Sequence, residues 1–335
     1  MSAAAHAQEG GPNPQVNETV VVIGQTIEET LPQELEKFGS DLEVIDSEEL
    51  REKTYIDASS AMQMEIPGLH ITPRGGPFSY MDVSFQGSRS QDMLFLVDGV
   101  RINNRLYNTT LTDTLPSSMI ERIEVLKGGQ SLFYGTQAAA GVINVVTRGY
   151  TDELDGQVRV GVDTNQGYHA DAYVRGQGGP GNFVVYLSQD KAEGFDTYTN
   201  VQPSVTDLDR SYDVTTVGGK YRIDFSDNLA VDARYHHTDA ALDYAGVSRT
   251  AFSQNVRDED IASLALDYAP SDMLQFLVKG YWHDWDSEYT TINNVVGSPG
   301  QQEVVDPDAI VALPRAALKI PEGELFGGLI ARPLA

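Results

Sequence analysis

The chain has 335 residues with 23 basic and 49 acidic side chains, giving a formal net charge of −26. A surface this acidic argues against nucleic-acid binding, which needs Lys and Arg against phosphates, so we expect no nucleic-acid partner. Cysteine is absent, which excludes disulfide frameworks and thiolate metal sites. No apolar run reaches the length of a transmembrane helix.

The N-terminus carries two short patterns. Ala5-His6-Ala7 has the small residues of a signal-peptide cleavage site, so we expect residues 1–7 to be a signal-peptide remnant, with an ordinary Ala-rich terminus as the alternative. Residues 8–26 are predicted to be a flexible tether, because residues 9–17 are rich in Gly, Pro, Asn and Gln. The tether ends in a β-branched run, which can add a strand to the sheet of a partner protein or form an internal strand. The run is Glu18, Thr19, Val20, Val21, Val22 and Ile23.

Three motifs follow in chain order. A Pro-Gly element lies at residues 65–69, and two apolar runs flank Asp98-Gly99 within residues 94–103, which predicts a hairpin because Asp-Gly tolerates the left-handed backbone of a tight turn. Residues 120–148 contain two alternating runs, around Ile123 and Ile143, which predict a pair of half-buried strands. The glycines between these runs match neither a dinucleotide-binding loop nor a phosphate-binding P-loop.

In this order and spacing the motifs resemble the plug domain of TonB-dependent outer-membrane receptors, over about residues 18–148. The resemblance implies an α+β plug domain at residues 27–149, followed by an antiparallel transmembrane β-barrel from residue 150 to residue 335. It also implies that residues 18–23 are a TonB box, the segment that the periplasmic protein TonB captures by strand pairing. The plug style is similar to that of cobalamin and small-siderophore receptors.

The second half has the alternation expected of a barrel wall, with apolar residues facing lipid and polar residues facing a wet interior. We predict nine strands, at residues 158–162, 168–175, 183–189, 214–224, 229–237, 261–269, 274–285, 310–320 and 325–331. Short turns are predicted at residues 177–182, 225–228, 270–272 and 321–323, and long loops at 190–212, 238–260 and 286–308. After the second strand, short and long connections alternate strictly, which is typical of outer-membrane barrels.

Nine strands are fewer than the even number that closes a bacterial barrel, and plugged transporters use about 22 strands. We therefore expect an incomplete barrel and a truncated receptor: an intact plug followed by under half of a wall.

The resemblance also predicts site residues. The outward loops of the plug should bind ligand through Arg74, Phe78, Tyr80, Asn103, Asn104, Arg105 and Tyr107. A charge cluster should lock the plug against the barrel through Arg89, Glu121, Arg122, Glu124 and Lys127. This chain departs from the family pattern at Gln86 and Lys127, where the family usually has arginines, so a weaker or rebuilt lock is expected.

Metal and catalytic sites are not predicted. His236 and His237 are adjacent on a strand and should face opposite sides of the sheet, so they should not share one ion. Carboxylates in the predicted outer loops, at Asp207, Asp209, Asp258, Glu259 and Asp260, could bind calcium but lack EF-hand spacing. No nucleophile elbow and no zinc-protease motif is present, so we expect neither an enzyme nor a cofactor.

The function implied is import of a scarce nutrient, such as siderophore-bound iron or cobalamin, across the outer membrane. The implied partners are TonB with ExbB and ExbD, outer-membrane lipid and a small ligand such as a metal chelate, and we expect a monomer. The alternatives are a passive or structural outer-membrane barrel and a soluble β-rich ligand-binding module.

Overall fold

The computed structural model describes residues 27–37, 39–72, 76–79, 82–85, 87–103, 112–135, 137–195, 209–245, 251–271, 274–293, 316–320 and 325–331. The predicted signal remnant and the tether with residues 18–23 lie outside the described residues. Among the helices of the described part, none combines the length and the apolar character needed to cross a bilayer.

The first part of the chain combines short helices with a five-stranded sheet. The helices are α1 (Ile27–Lys37), α2 (Ser47–Glu52), α3 (Ala58–Glu65) and α4 (Ser131–Tyr134), with 3-10 turns at Ser90–Asp92 and Ser117–Met119. The strands are β1 (Asp41–Asp46), β2 (Leu69–Thr72), β3 (Asp82–Phe85), β4 (Met93–Val97), β5 (Val100–Arg101), β6 (Ile120–Lys127) and β7 (Gly141–Thr147). The sheet order is β1-β6-β7-β4-β5, with β4 and β7 parallel, and β2 pairs with β3 separately.

The two local predictions in this region are confirmed. Strands β4 and β5 form an antiparallel hairpin, and both of its turn residues have positive φ, at 48° for Asp98 and 74° for Gly99. This conformation is the reason that Asp-Gly is favoured in such turns. Strands β6 and β7 pair antiparallel, with Ile123 opposite Val145. All five residues of β4 are buried, so the hairpin is held in the core.

The second part is one antiparallel sheet of nine strands. They are β8 (Asp155–Val162), β9 (Tyr168–Gly178), β10 (Gly181–Ala192), β11 (Tyr212–Ser226), β12 (Leu229–Ala245), β13 (Ala251–Ser271), β14 (Leu274–Asn293), β15 (Ala316–Ile320) and β16 (Leu325–Ala331). From β8 to β14 each strand pairs with the next along the chain. Within the described residues the sheet stays open at β8 and beyond β14, as the prediction of an incomplete barrel requires.

The outer face of this sheet is apolar and its inner face is polar, as the alternation predicts. Val160 on β8 and Leu264 on β13 are 78% and 58% exposed, whereas Lys220 and Asp232 are 6% and 3% exposed. A soluble two-layer sandwich would show the opposite arrangement, because it buries apolar side chains between its sheets. The exposed apolar face is that of a strand wall in lipid.

Several strands are longer than predicted, and the loops between them are shorter. Strand β12 continues to Ala245 and β13 already begins at Ala251, although residues 238–260 were predicted as a loop. Outward side chains of this stretch include Asp239 and Asp258, although Val256 is also outward and 47% exposed. Apolar residues are therefore fewer on the outer face at this end of the sheet, while backbone pairing continues. The short described connections at residues 179–180 and 227–228 lie at the opposite end of the sheet.

The last two strands lie end to end, although a hairpin was predicted. Both β15 and β16 pair antiparallel with β14, and the pairing of Ala316 with Tyr289 and of Ala331 with Leu274 follows one continuous register. The two strands therefore run in the same direction along a single neighbour. The predicted turn at residues 321–323 lies outside the described residues.

The first part of the chain packs against the inner face of the nine-stranded sheet. One apolar cluster joins Ile45 and Phe95 of the first part to Val184, Tyr186 and Ile261 of the sheet. From here on, the elements from α1 to β7 are called the plug and strands β8 to β16 the wall.

Candidate functional site at the interface of plug and wall

The tip of the β4–β5 hairpin inserts a carboxylate into a basic pocket of the wall. Asp98 Oδ1 lies 3.0 Å from Lys220 Nζ on β11 and 3.5 Å from Arg234 Nη1 on β12. Lys279 Nζ on β14 donates to the main-chain oxygen of Asp98 at 2.6 Å. Inside the plug, the carboxylate accepts hydrogen bonds from the backbone N–H and the hydroxyl of Thr147.

The carboxylate of Asp98 compensates two buried positive charges of the wall. Lys220 and Arg234 are directly opposite each other on neighbouring strands, and like charges in such positions repel. Both side chains are at most 10% exposed, so solvent screens the repulsion weakly. Asp98 lies beside both cations and compensates them, together with Asp232, whose carboxylate is 2.5 Å from Arg234 Nε.

Asp98 is held as an anion. Burial by itself raises the pKa of a carboxyl group, but the charges of Lys220 and Arg234 and the hydrogen bonds from Thr147 outweigh burial and hold the pKa of Asp98 below its ordinary value. Removing one partner of such a buried pair leaves an uncompensated charge, which is strongly destabilising.

Two residues of the predicted charge cluster support this turn from within the plug. Arg122 Nε donates to Glu124 at 2.7 Å, and Asn144 Nδ2 donates to the other oxygen of Glu124 at 3.1 Å. Asn144 Oδ1 in turn accepts from the backbone N–H of Gly99 at 3.2 Å. Arg122 and Glu124 thus position the hairpin tip and do not themselves make a described contact with the wall.

A second buried ion pair joins plug and wall. Arg257 Nη1 on β13 lies 2.9 Å from Asp113, and the two side chains are 1% and 0% exposed. The same guanidinium group donates to Thr114 and to Asn255 and lies 5.5 Å from the ring centre of Trp285. A third contact places Glu121 3.4 Å from Arg175 on β9.

The predicted charge cluster is therefore wrong in part. Glu121 does reach the wall. Arg89, however, is a surface residue whose side chain is 76% exposed and pairs with Asp92 three residues later. Lys127 pairs with Glu43 and Asp41 on β1, within the plug. Residues on one strand alternate between faces, so β6 could not direct all of its charges to one partner.

Of the predicted ligand loop at residues 74–80, the described residues 76–79 lie at the long-connection end of the wall and are partly buried. Phe78 is 0% exposed and packs on Tyr212 of β11 at a ring separation of 5.0 Å. Its backbone N–H donates to the buried carboxylate of Asp57, which also caps α3. Arg210 Nη2 donates to the carbonyl oxygen of Pro77 at 2.6 Å. In this conformation Phe78 fixes the loop to the wall and is closed to ligand.

Asn103 is also structural, contrary to its prediction as a ligand residue. It is 4% exposed, and its amide group bridges the backbone of β4 by accepting from Phe95 N–H and donating to Met93 oxygen. The other predicted ligand residues, Arg74, Tyr80, Asn104, Arg105 and Tyr107, lie outside the described residues.

The two adjacent histidines face opposite sides of the wall, as predicted. His236 is buried and contacts Tyr186 and Thr238 on the inner face. His237 faces outward, 3.0 Å from Asp260. Its ligand atoms and those of Asp258 and Asp260 lie within 4.8 Å of one another, a proximity that the sequence did not indicate because the residues are on different strands.

Sequence reasoning missed Asp98, Asp113, Lys220, Arg234 and Arg257 as interface residues. Asp98 was assigned to a hairpin turn, which accounts for its backbone but not for its carboxylate. A usable signal was present in the wall: Lys220, Arg234 and Arg257 occupy inward positions of the alternation, and inward charges need partners inside the barrel.

Comparisons with known proteins agree with this geometry. Residues 34–142 match the family model of the TonB-dependent receptor plug domain. The vitamin B12 transporter BtuB of Vibrio vulnificus is 29% identical over 253 residues, which cover 75% of this chain and 39% of that protein. An iron-regulated outer membrane virulence protein of Vibrio cholerae is 31% identical over 167 residues, covering 48% of this chain and 24% of that protein.

Among solved structures, the siderophore receptor PirA from Acinetobacter baumannii superimposes with a TM-score of 0.62 at 18% identity, covering 88% of this chain and 45% of that one. At this identity the likeness establishes the fold. The chain spans about two fifths of the length of the BtuB relative. The plug motif, the plug's position against an outward-apolar wall and these matches together show a TonB-dependent receptor plug domain at residues 34–142.

Proposed function

We propose that the chain is part of a receptor that imports a scarce nutrient, a metal chelate of the siderophore type or a cobalamin, with energy from the proton-motive force of the inner membrane. Relatives named as a vitamin B12 transporter and solved structures named as siderophore receptors support this class of cargo. We further propose that residues 27–149 are the plug and residues 150–335 wall, that the receptor acts as a monomer, and that its role is transport and not catalysis.

The proposed mechanism begins at the outward loops. Ligand bound there releases residues 18–23 on the periplasmic side, and TonB, driven by ExbB and ExbD, captures this run by adding it as a strand to its own sheet. Pulling then moves the plug against the wall. Main-chain hydrogen bonds would hold residues 18–23 to TonB, and β-branched residues favour the extended backbone that this strand pairing requires.

The observation that carries the proposal is the ionic contact between plug and wall. The pairs of Asp98 with Lys220 and of Asp113 with Arg257 are buried when the plug is seated. Buried ion pairs add little net stability, because the attraction is offset by the lost hydration. When the plug moves, these groups regain water, so opening costs less than separating an apolar core of the same area. The pairs therefore specify the seated position and still permit its release.

Deleting residues 18–23 from the full-length receptor tests the mechanism. We expect energised uptake of the ligand to be lost and binding of the ligand to the cell surface to be retained, because the run lies far from the outward loops in the proposed scheme. Deleting residues 9–14, an equal length of the same tether, is the matched control and should leave uptake in place. Undiminished uptake without residues 18–23, or uptake insensitive to a protonophore, would instead favour a passive barrel.

A further inference from the structure

A cavity of about 130 Å³ lies between plug and wall at the short-turn end, and four arginines line it. Arg51 and Arg148 come from the plug, and Arg159 and Arg175 come from the inner face of β8 and β9. The hydroxyl-bearing residues Ser47 and Ser117 complete the polar lining on the plug side. The chain has a net charge of −26, so a local cluster of four guanidinium groups around one small cavity is opposite in sign to the chain as a whole.

The carboxylates in contact with these arginines do not balance them. Glu121 lies 3.6 Å from Arg148 and 3.4 Å from Arg175. Asp155 pairs with Arg175 and Asp171 pairs with Arg159, both at 2.8 Å. Three carboxylates therefore face four guanidinium groups.

Two of the four arginines, Arg51 and Arg159, have guanidinium N–H groups that make no described hydrogen bond. Within the part of the chain that the structure describes, no carboxylate lies within ion-pair distance of Arg51, and Arg159 donates through Nε alone. A guanidinium group has five N–H donors in a planar fork, a shape that matches the oxygens of carboxylates and phosphates.

The guanidinium group of Arg148 is largely removed from solvent in the cavity, with its side chain 11% exposed. Burial lowers the pKa of Arg148, and the neighbouring charges of Arg175 and Arg159 lower it further, against the opposing effect of Glu121. An anion placed among these groups would relieve their mutual repulsion.

We propose that this cavity is a binding subsite for a multivalent oxyanion, such as the carboxylate or phosphate groups of an acidic ligand. The hydrogen-bond donors converge from both plug and wall, so the anion would bridge the two. A role of this subsite in binding the transported ligand on the short-turn side of the plug rests on the proposed transport function. Anion binding itself depends only on the cavity.

The test is isothermal titration of the detergent-solubilised chain with two probes, citrate and inorganic pyrophosphate, at low salt. We expect saturable binding of at least one, and the tighter probe identifies the preferred oxyanion. Arg51→Gln and Arg159→Gln should each weaken binding about tenfold, the effect of losing one charge-assisted interaction. Arg51→Gln breaks no described ion pair, so this variant keeps the test independent of folding.

Arg89→Gln is the matched control, because Arg89 is a surface arginine of the plug outside the cavity. It should bind both probes like the unchanged chain. The proposal is overturned if neither probe binds saturably, or if all three variants bind with equal affinity. Because the readout is binding and not uptake, a negative result here leaves the deletion experiment on residues 18–23 unaffected.

Discussion

At the scale of single residues, Asp98 is the most consequential side chain of the interface, and Asp98→Asn isolates its charge. Asn keeps the size of the side chain and tolerates the positive φ of 48° at this position. Asp232 alone would then compensate the two buried cations Lys220 and Arg234. We expect the seated plug to lose about 3–5 kcal/mol, the usual cost of removing one partner from a buried pair.

The measurement is urea unfolding followed by tryptophan fluorescence. The chain has two tryptophans: Trp285 is 8% exposed beneath Arg257, whereas Trp282 is 39% exposed on the outer face. A Trp282→Phe background therefore leaves a reporter of the interface. Arg89→Gln, which removes an exposed pair, should cost at most about 0.5 kcal/mol. Equal midpoints for Asp98→Asn and this control would contradict the role given to Asp98.

At the scale of secondary-structure elements, the β4–β5 hairpin places Asp98 by means of its turn. Gly99 has a φ of 74°, and a residue with a Cβ pays about 1–2 kcal/mol to adopt that conformation. We expect Gly99→Ala to destabilise the chain by about this amount and to loosen Asp98 from Lys220. Thermal unfolding measures the first effect, and hydrogen exchange at Thr147 N–H, which donates to Asp98, measures the second.

Gly161→Ala in β8 is the control for that substitution. The nearest atom to an added Cβ there is His169 Cβ at 3.9 Å, an ordinary contact, and the backbone is a regular strand. It should be neutral or slightly stabilising, because Ala restricts the unfolded chain more than Gly does. If both variants shifted the unfolding midpoint alike, the turn conformation would not be the cause.

At the scale of the whole molecule, the seating of the plug should depend on pH in a defined direction. The pKa of Asp98 is lowered in the folded chain, so its contribution is fully present above the ordinary Asp pKa of about 3.9. The contribution is lost only as the pH falls through the lowered folded value. We therefore expect plug and wall to stay joined from pH 7 down to about pH 4 and to separate in stronger acid.

Comparison with Asp98→Asn assigns this acid sensitivity. Other carboxylates also titrate in this range, so the informative quantity is the difference in unfolding free energy between the unchanged chain and the variant, measured with the Trp285 reporter. That difference should be constant above about pH 4 and should shrink below it. A difference that grows as the pH falls would reverse the sign of the linkage and refute the assignment.

Local sequence was sufficient for features that depend on near neighbours. The Asp98-Gly99 turn, the pairing of β6 with β7 and the opposite facing of His236 and His237 follow from turn chemistry and from the two-residue period of a strand. The alternation of the wall strands could also be predicted from the sequence. Lipid on one side of the sheet favours apolar residues and a polar interior on the other favours polar ones, so the two types alternate along each strand. The prediction missed the extensions of β12 and β13, where the outer face carries acidic residues such as Asp239 and Asp258 while the backbone ladder continues.

The ion pairs between charged residues far apart in the sequence could be identified only from the folded structure. Asp98 meets Lys220 across 122 residues, and Arg257 meets Asp113 across 144. No local pattern connects them, because the contacts depend on the plug's position inside the wall. For the same reason the sequence did not show that Arg89 and Lys127 pair within the plug or that Phe78 packs against Tyr212. The sequence gives the charge or aromatic character of a side chain, but tertiary packing decides which group it contacts.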